Sequence, residues 1–250
     1  PMVHPPKSTA LPHQATGVPA SGGQLILEWR RRLASSFLPW PRTHLVDVGC
    51  GNGAQTLTFA DSFDRLTGVD INPEYLREFR KETTRLGLGT RATGMASQGS
   101  VIPLEDGCAD CVTSFTVLEH VPDQMSSLLE MHRLLRPGGR LLLTVPNRWW
   151  IFETHGADLP FLPWNRVPLV SWWPKKLHDR YARARIYRKR EIKTLINEAG
   201  FTVDAVFNLT APMDMISWSP LQKAARALVF RSDRTPFPFL ATEIMVAATR

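Results

Sequence analysis

Cysteine is scarce in this sequence: Cys50, Cys108 and Cys111 are the only three in 250 residues. So small a set excludes a disulfide framework and fits a reduced compartment. Cys108 and Cys111 have CxxC spacing, but no second pair accompanies them and they stand where a buried strand begins. That favours small core residues over a metal or redox pair. Long apolar runs are missing as well. No stretch reaches the ~18 uninterrupted apolar residues of a membrane-spanning helix. The first residues carry no apolar signal core, so a cytoplasmic protein is expected. Acid is in short supply: 23 Asp and Glu stand against 30 Lys and Arg, a net charge of +7. That balance favours anionic partners, whether nucleic acid, an anionic membrane surface or an acidic substrate.

With 43% hydrophobic and 21% charged residues, the composition suits a globular chain with one substantial core, and the length is too short for two ordinary enzyme domains. Residues 1–23, rich in Pro, Gly, Ser and Ala, read as a flexible or surface-draped lead-in, and 24–250 as a single domain. Leu25, Ile26, Trp29, Leu33 and Phe37 recur at helical spacing over 24–37, and Pro39 and Pro41 end that helix. Short apolar runs then predict strands over 45–48, 66–69, 109–115, 140–145, 201–207 and 242–248. Helical patterns fall over 54–60, 73–86, 124–135 and 191–198, with a turn at Pro137-Gly138-Gly139. Strands alternating with helices at this spacing make an α/β chain with a parallel sheet and helices on both faces.

The segment Val46-Asp47-Val48-Gly49-Cys50-Gly51-Asn52-Gly53 follows a strand and opens a helical pattern. Glycines there let the backbone turn sharply and approach a ligand closely. The spacing is G-x-G-x-G, which is not the dinucleotide G-x-G-x-x-G, and no Gly-Lys-Ser/Thr follows to anchor phosphates. Gly68-Val69-Asp70-Ile71 ends the next strand, where a carboxylate can accept from both hydroxyls of a ribose. A glycine turn with a ribose acid and no phosphate-anchoring Lys favours a nucleoside cofactor without phosphates.

Asp47-Val48-Gly49-Cys50-Gly51-Asn52-Gly53 resembles motif I of the class I S-adenosylmethionine-dependent methyltransferases. Asp70 matches that family's ribose-binding acid. The segments 102–110, 117–123 and 135–141 are similar to its later signatures, and the nearest group is the ubiquinone/menaquinone-biosynthesis-like one, methyltransferase type 11. The resemblance covers about a hundred residues, in order. It implies a Rossmann-like, seven-stranded, mostly parallel sheet of order 3-2-1-4-5-7-6 with the last strand antiparallel. It implies S-adenosylmethionine as cofactor and S-adenosylhomocysteine as product. Gly49, Cys50, Gly51 and Gly53 would line the methionine part, and Asp47 would anchor the loop. Asp70 would hold the ribose, Ile71 would pack on the adenine, and Phe115 would be a further cofactor-binding residue. Where the family usually has an Asp contacting the adenine amino group, this sequence has Gln98, either a weaker acceptor or a solvated loop residue.

Methyl transfer needs an acceptor held in line with the methyl–sulfur bond, and a general base when the acceptor is a hydroxyl or acidic carbon. His120, after the fourth strand, and Glu153 and His155, after the fifth, are the candidates. Some quinone O-methyltransferases bind a divalent metal through two Glu and a His on the turn after the fourth strand. Thr116 takes the place of the first Glu here, so no metal is expected.

Two lid-like insertions, 147–188 and 212–238, exceed what the core fold needs. The first holds Trp149, Trp150, Trp164, Trp172 and Trp173, either a self-packed lid or the wall of an apolar pocket. It runs into eight basic residues within 175–190, readable as a solvated helix face, an anionic-lipid surface, or a site for nucleic acid or a phosphorylated substrate. The second alternates Met213, Met215, Ile216, Trp218, Leu221, Leu228 and Phe230 with Lys223, Arg226 and Arg231, a second lid or an interface-lying helix. Two apolar insertions near one edge favour a hydrophobic small-molecule acceptor, with membrane-surface contact as an accompanying expectation. The alternatives are an RNA or protein methyltransferase and an inactive cofactor-binding subunit. Against nucleobases, the fourth strand runs into Ser114-Phe115-Thr116-Val117 rather than an Asn-Pro-Pro-Tyr-like turn.

Overall fold

In a computed structural model, residues 19, 21–97, 101–152, 157–159, 162–164, 168–214 and 216–250 are described. In chain order the strands are β1 (His44–Val48), β2 (Arg65–Asp70), β3 (Ala92–Ala96), β4 (Ala109–Phe115), β5 (Leu135–Pro146), β6 (Ala157–Leu159), β7 (Leu162–Trp164), β8 (Thr202–Thr210) and β9 (Ala241–Thr249). The helices are α1 (Leu25–Ser35), α2 (Pro73–Arg85), α3 (Gln124–Leu134), α4 (Lys175–Tyr181), α5 (Lys189–Glu198) and α6 (Ser219–Leu228). Seven strands form one sheet in the order β3-β2-β1-β4-β5-β9-β8, and β6 and β7 pair separately. The first five are mutually parallel, and β9 runs antiparallel to both β5 and β8. This is the expected Rossmann-like order.

Side chains alternate across each strand, and that alternation divides the core. Leu45, Cys111, Leu142 and Met245 face the layer holding α1 and α2, against Trp29, Leu33, Leu76 and Phe79. Val46, Val112, Leu143 and Val246 face α3 and α5, against Leu128, Met131, Ile192 and Ile196. With both faces covered, β4 is buried along its whole length, as central strands of a doubly covered parallel sheet must be. Cys111 is fully buried and Cys108 half-buried, both as free thiols.

Three local expectations change. Residues 54–60 hold only a 3₁₀ turn, Thr56–Phe59, instead of an α-helix. Polar side chains there take other partners: Thr56 donates to Asp47, and Gln55 to the Leu27 carbonyl and the Thr58 hydroxyl. β3, absent from the apolar pattern, buries only Ala92 because it is the sheet edge. Pro137-Gly138-Gly139 lies within β5 as a bulge: pairing with β4 passes from Ala109–Leu135 to Cys111–Arg140, and Gly138 takes φ +77 to close it.

The insertions pack on each other. Trp150 and Phe152 from the first join Met213, Ile216, Ala225 and Phe230 from the second around Ala211. The Asn147 amide ties both to the sheet by donating to the Pro238 and Ala241 carbonyls, at 2.7 and 2.8 Å. The tryptophans do not form one wall: Trp150 is buried while Trp149 and Trp172 are about half exposed. The basic run is not one solvated face either. It crosses α4, an extended stretch and the start of α5, and Arg185 is buried, donating to the Val121 and Pro122 carbonyls. Arg188 lies over the Trp149 ring at 5.6 Å. Among the described residues no helix is long and apolar enough to cross a membrane.

A buried ion pair fastens α1 to the last strand. Arg30 meets Glu243 in a two-point contact of 2.9 and 2.5 Å, with both residues under a tenth exposed. Removing one partner strands the other charge in the core, at a cost of about 3–5 kcal/mol, whereas an apolar pair of similar volume is tolerated. Glu243→Ala should therefore lower unfolding stability in urea by that amount, and Arg30→Met with Glu243→Leu should recover most of it. Equal losses in the two variants would show that the contact itself, not the stranded charge, carries the stability.

Candidate functional site

The glycine loop is held from below by the neighbouring strand. Gly49 and Cys50 donate their N–H groups to the Val69 carbonyl at 2.7 and 3.0 Å, and Gly51 donates to Asp70 Oδ2 at 2.8 Å. Asp70 Oδ1 accepts from the Asn72 N–H at 2.8 Å, and the Asn72 side chain caps α2. One carboxylate thus joins the loop after β1 to the start of α2. Gly49 (φ +77) could not carry a side chain, since a Cβ would lie 2.3 Å from Val117. At Gly53 the neighbour is the Phe79 ring, 2.0 Å from a Cβ, so that glycine serves close packing of α2 on the sheet rather than approach to a ligand. Pro19 of the lead-in lies against Gly51.

The other expected cofactor residues divide by direction. Asp47 points into the core: Oδ2 accepts from Thr56 and Oδ1 from Thr113, at 2.5 and 2.7 Å. Burial pushes its carboxyl up to about 6, against the opposing pull of the two hydroxyls. Cys50 is also turned inward, its Sγ beside Gly68, and burial raises its thiol well above the ordinary value. Only its backbone faces the loop's outer side. Ile71 is 57% exposed beside Asp70, an open apolar platform. Phe115 is buried, stacked on Phe59 at 6.4 Å with the Arg30 guanidinium 5.6 Å from its ring centre. Gln98 lies outside the described residues.

On the acceptor side, β4 ends in a turn that the first insertion crosses. Thr116 takes φ +54, and its hydroxyl donates to the Phe115 carbonyl and accepts from Arg30 at 3.4 Å. Glu119 is fully buried, with the His120 ring 4.0 Å away. Over them runs the stretch from Ala182 to Arg188: the Arg185 N–H donates to the Glu119 carbonyl, and Tyr187 donates its hydroxyl to the Leu118 carbonyl and accepts from Gln124. Burial, reinforced by Glu119, holds the Tyr187 phenol well above its usual value, so it stays protonated. The structure thus brings His120 together with Glu119, Thr116, Arg30, Arg185 and Tyr187 at the carboxyl ends of β4 and β5. Glu153 and His155 lie outside the described residues. No group of three His, Cys, Asp or Glu side chains among the described residues could hold a metal.

Arg30, Glu243 and Tyr187 escaped the sequence reading, and Arg185 entered it only as part of the basic run. Arg30 and Arg185 carried a faint signal, as cations among apolar neighbours, but their partners are 213 and 64 residues away. Two adjoining clefts of about 420 and 240 Å³ share Lys189, Asn208 and Pro236 and lie on the β8 side, away from the glycine loop.

The methyltransferase-domain family matches residues 46–143, from β1 into β5. That stretch of the chain carries a methyltransferase domain. Across a longer stretch it is 31% identical over 160 residues to a probable S-adenosylmethionine-dependent methyltransferase of Mycolicibacterium smegmatis, covering 64% of this chain and 52% of that protein. It is 27% identical over 169 residues to a ubiquinone biosynthesis O-methyltransferase of Pseudomonas aeruginosa, covering 66% and 67%. The chain spans about half the length of two of the curated relatives it matches. Among solved structures, a geranyl diphosphate methyltransferase in complex with GPP and sinefungin superposes with a TM-score of 0.60 at 16% identity, covering 89% of this chain and 78% of that one. S-adenosylmethionine is the cofactor of this family and fold. The domain's own geometry fits it: a positive-φ glycine loop lies beside a half-buried carboxylate with an exposed Ile71 next to it.

The raised carboxyl of Asp47 has a definite pH consequence. The folded domain keeps this proton to about pH 6, whereas the unfolded chain loses it near 3.8. Asp47 therefore favours folding most below about pH 4, and that advantage declines by about 3 kcal/mol as the pH rises to 6 and beyond. Relative to Asp47→Asn, the wild-type protein should lose urea stability over this interval and run parallel above it. Parallel curves from about pH 4 to about pH 7 would mean that Asp47 is ionised throughout.

Proposed function

We propose that the protein transfers the methyl group of S-adenosylmethionine to an oxygen or carbon of a hydrophobic small molecule, of the quinone, isoprenoid, lipid or aromatic class. The observation that carries this reading is the apolar core that the two insertions share at the carboxyl edge of the sheet, the edge that also bears the Glu119–His120 turn. A second core of this kind has no part in building the sheet and stands at the carboxyl edge, where α/β enzymes place their sites.

The residues divide the work as follows. The Asp70 carboxylate, which already accepts one N–H on each oxygen, has lone pairs left for the two ribose hydroxyls. Ile71 packs on the adenine, and the backbone of Gly49 and Gly51 lines the methionine part. Asp47 acts at one remove by holding Thr56 and Thr113, and so the loop, in place. When bound, S-adenosylmethionine supplies an electrophilic methyl group on a sulfonium. The chain must hold the acceptor in line with it and keep water out, and positioning of that kind accounts for roughly 7–11 kcal/mol of a barrier. On this reading His120, 4.0 Å from the buried Glu119, takes the proton from a hydroxyl or acidic carbon. Glu153 and His155 remain further candidates for that role on sequence alone.

The basic run still allows a polymer acceptor, but Arg185 bonds internally and Arg188 rests on Trp149, which leaves fewer cations for a continuous phosphate track.

Two measurements test this reading. Asp70→Ala should weaken S-adenosylhomocysteine binding in calorimetry by roughly tenfold to a hundredfold, the value of one hydrogen bond to a charged group. Unchanged affinity would remove Asp70 from the cofactor site. Incubation with methyl-labelled S-adenosylmethionine and a cell extract, followed by separation of organic, nucleic-acid and protein fractions, should place the label in the organic phase. Label in RNA or protein would replace the small-molecule reading with the polymer one.

A further inference from the structure

Helix α6 is built inside out. Its polar residues Gln222 and Arg226, one turn apart, face the body of the protein. Gln222 donates to the Met213 and Ile216 carbonyls at 2.9 and 3.0 Å, and Arg226 donates to the Pro212 carbonyl and to Asp214, at 2.8 and 2.7 Å. The helix has no buried residue. Ala225 packs with Trp150 and Met213, but the larger apolar side chains point to solvent: Trp218 is 65% exposed, Leu221 49%, Leu228 78%, and Val229 just after it 54%. Trp218, Leu221 and Leu228 are spaced three and seven residues apart, so they share one stripe. A folded protein has no reason to clamp the polar side of a helix inward unless the apolar side has a use.

Charge identifies what covers the stripe. The second insertion contains two carboxylates, and each is taken by an arginine: Asp214 by Arg226 and Asp233 by Arg32. Lys223 and Arg231, both exposed, have no carboxylate partner among the described residues. The exposed surface of the second insertion therefore carries an apolar stripe together with uncompensated positive charge. A second copy docked through the same face would set like charges against each other, because a twofold contact pairs a surface with itself. A bilayer with anionic headgroups takes both features at once: the headgroups meet the cations while Leu221, Leu228 and Val229 enter the acyl boundary and Trp218 sits at the interface.

We propose that α6 is a membrane-surface docking helix that seats the protein on anionic lipid through Trp218, Leu221, Leu228 and Val229, with Lys223 and Arg231 on the headgroups. This holds whatever the methyl acceptor is, and it is tested without turnover. The full chain is mixed with vesicles of phosphatidylcholine alone, or of phosphatidylcholine and phosphatidylglycerol in equal parts, and the bound fraction is read by flotation. The protein should float with the phosphatidylglycerol vesicles and much less with phosphatidylcholine. Leu221→Asp with Leu228→Asp, both at exposed positions, should lower the partition coefficient by about tenfold or more. Lys223→Glu with Arg231→Glu should do so by about tenfold on the anionic vesicles alone. S-adenosylhomocysteine affinity should be unchanged in both variants, which separates loss of docking from loss of the cofactor site. Wild-type protein that stays unbound, or variants that float like wild type, would overturn the proposal. So would self-association in sedimentation velocity that the leucine variant abolishes, since that would assign the face to a second copy.

Discussion

The grip of β2 on the glycine loop is the constraint on which the rest of the site depends. Three consecutive N–H groups, those of Gly49, Cys50 and Gly51, are satisfied by one carbonyl and one carboxylate at the end of a single neighbouring strand. Backbone donors that leave a strand without continuing into a helix must find partners or pay the cost of burial without them. Here the partners are Val69 and Asp70, so the loop can keep its left-handed turns. Because Asp70 also anchors Asn72, the loop, the cofactor acid and the start of α2 form one unit. Asp47 braces the same loop from the core side through two threonines, which replaces the helix expected after the loop with a single 3₁₀ turn.

A second set of long-range contacts builds the acceptor side. Arg30 reaches from α1 across to Glu243 on β9 and touches Thr116 at the end of β4, so three elements meet at one buried guanidinium. Tyr187 and Arg185 then lay the end of the first insertion over the Glu119–His120 turn through backbone carbonyls. This spends part of the basic run on internal structure, and so weakens its reading as a surface for a polymer. Unspent positive charge remains on the second insertion, which also carries the exposed apolar stripe of α6.

Much of the fold was legible because strands covered on both faces leave near-continuous apolar runs, and short apolar runs mark six of the sheet's seven strands. The half-exposed β3 has no such run. The bulge in β5 shows in the sequence as Pro137-Gly138-Gly139, but whether those residues end a strand or kink one depends on the register of β4 beside them. Gly53 could be recognised as required, yet its reason, contact with Phe79, depends on how α2 lies on the sheet.

By itself the sequence determined the α/β class, the glycine turn and the acid after the second strand, because these are set by residue type and short spacing. Only the tertiary structure decided which way the side chains at that turn point, with Asp47 and Cys50 inward and Ile71 outward. It alone paired Arg30 with Glu243, and it alone turned the polar side of α6 inward. The amphipathic pattern of α6 announces that the helix has two faces. Which face meets the protein is settled by the carbonyls of Pro212, Met213 and Ile216, which accept from Gln222 and Arg226 and leave the leucines outside.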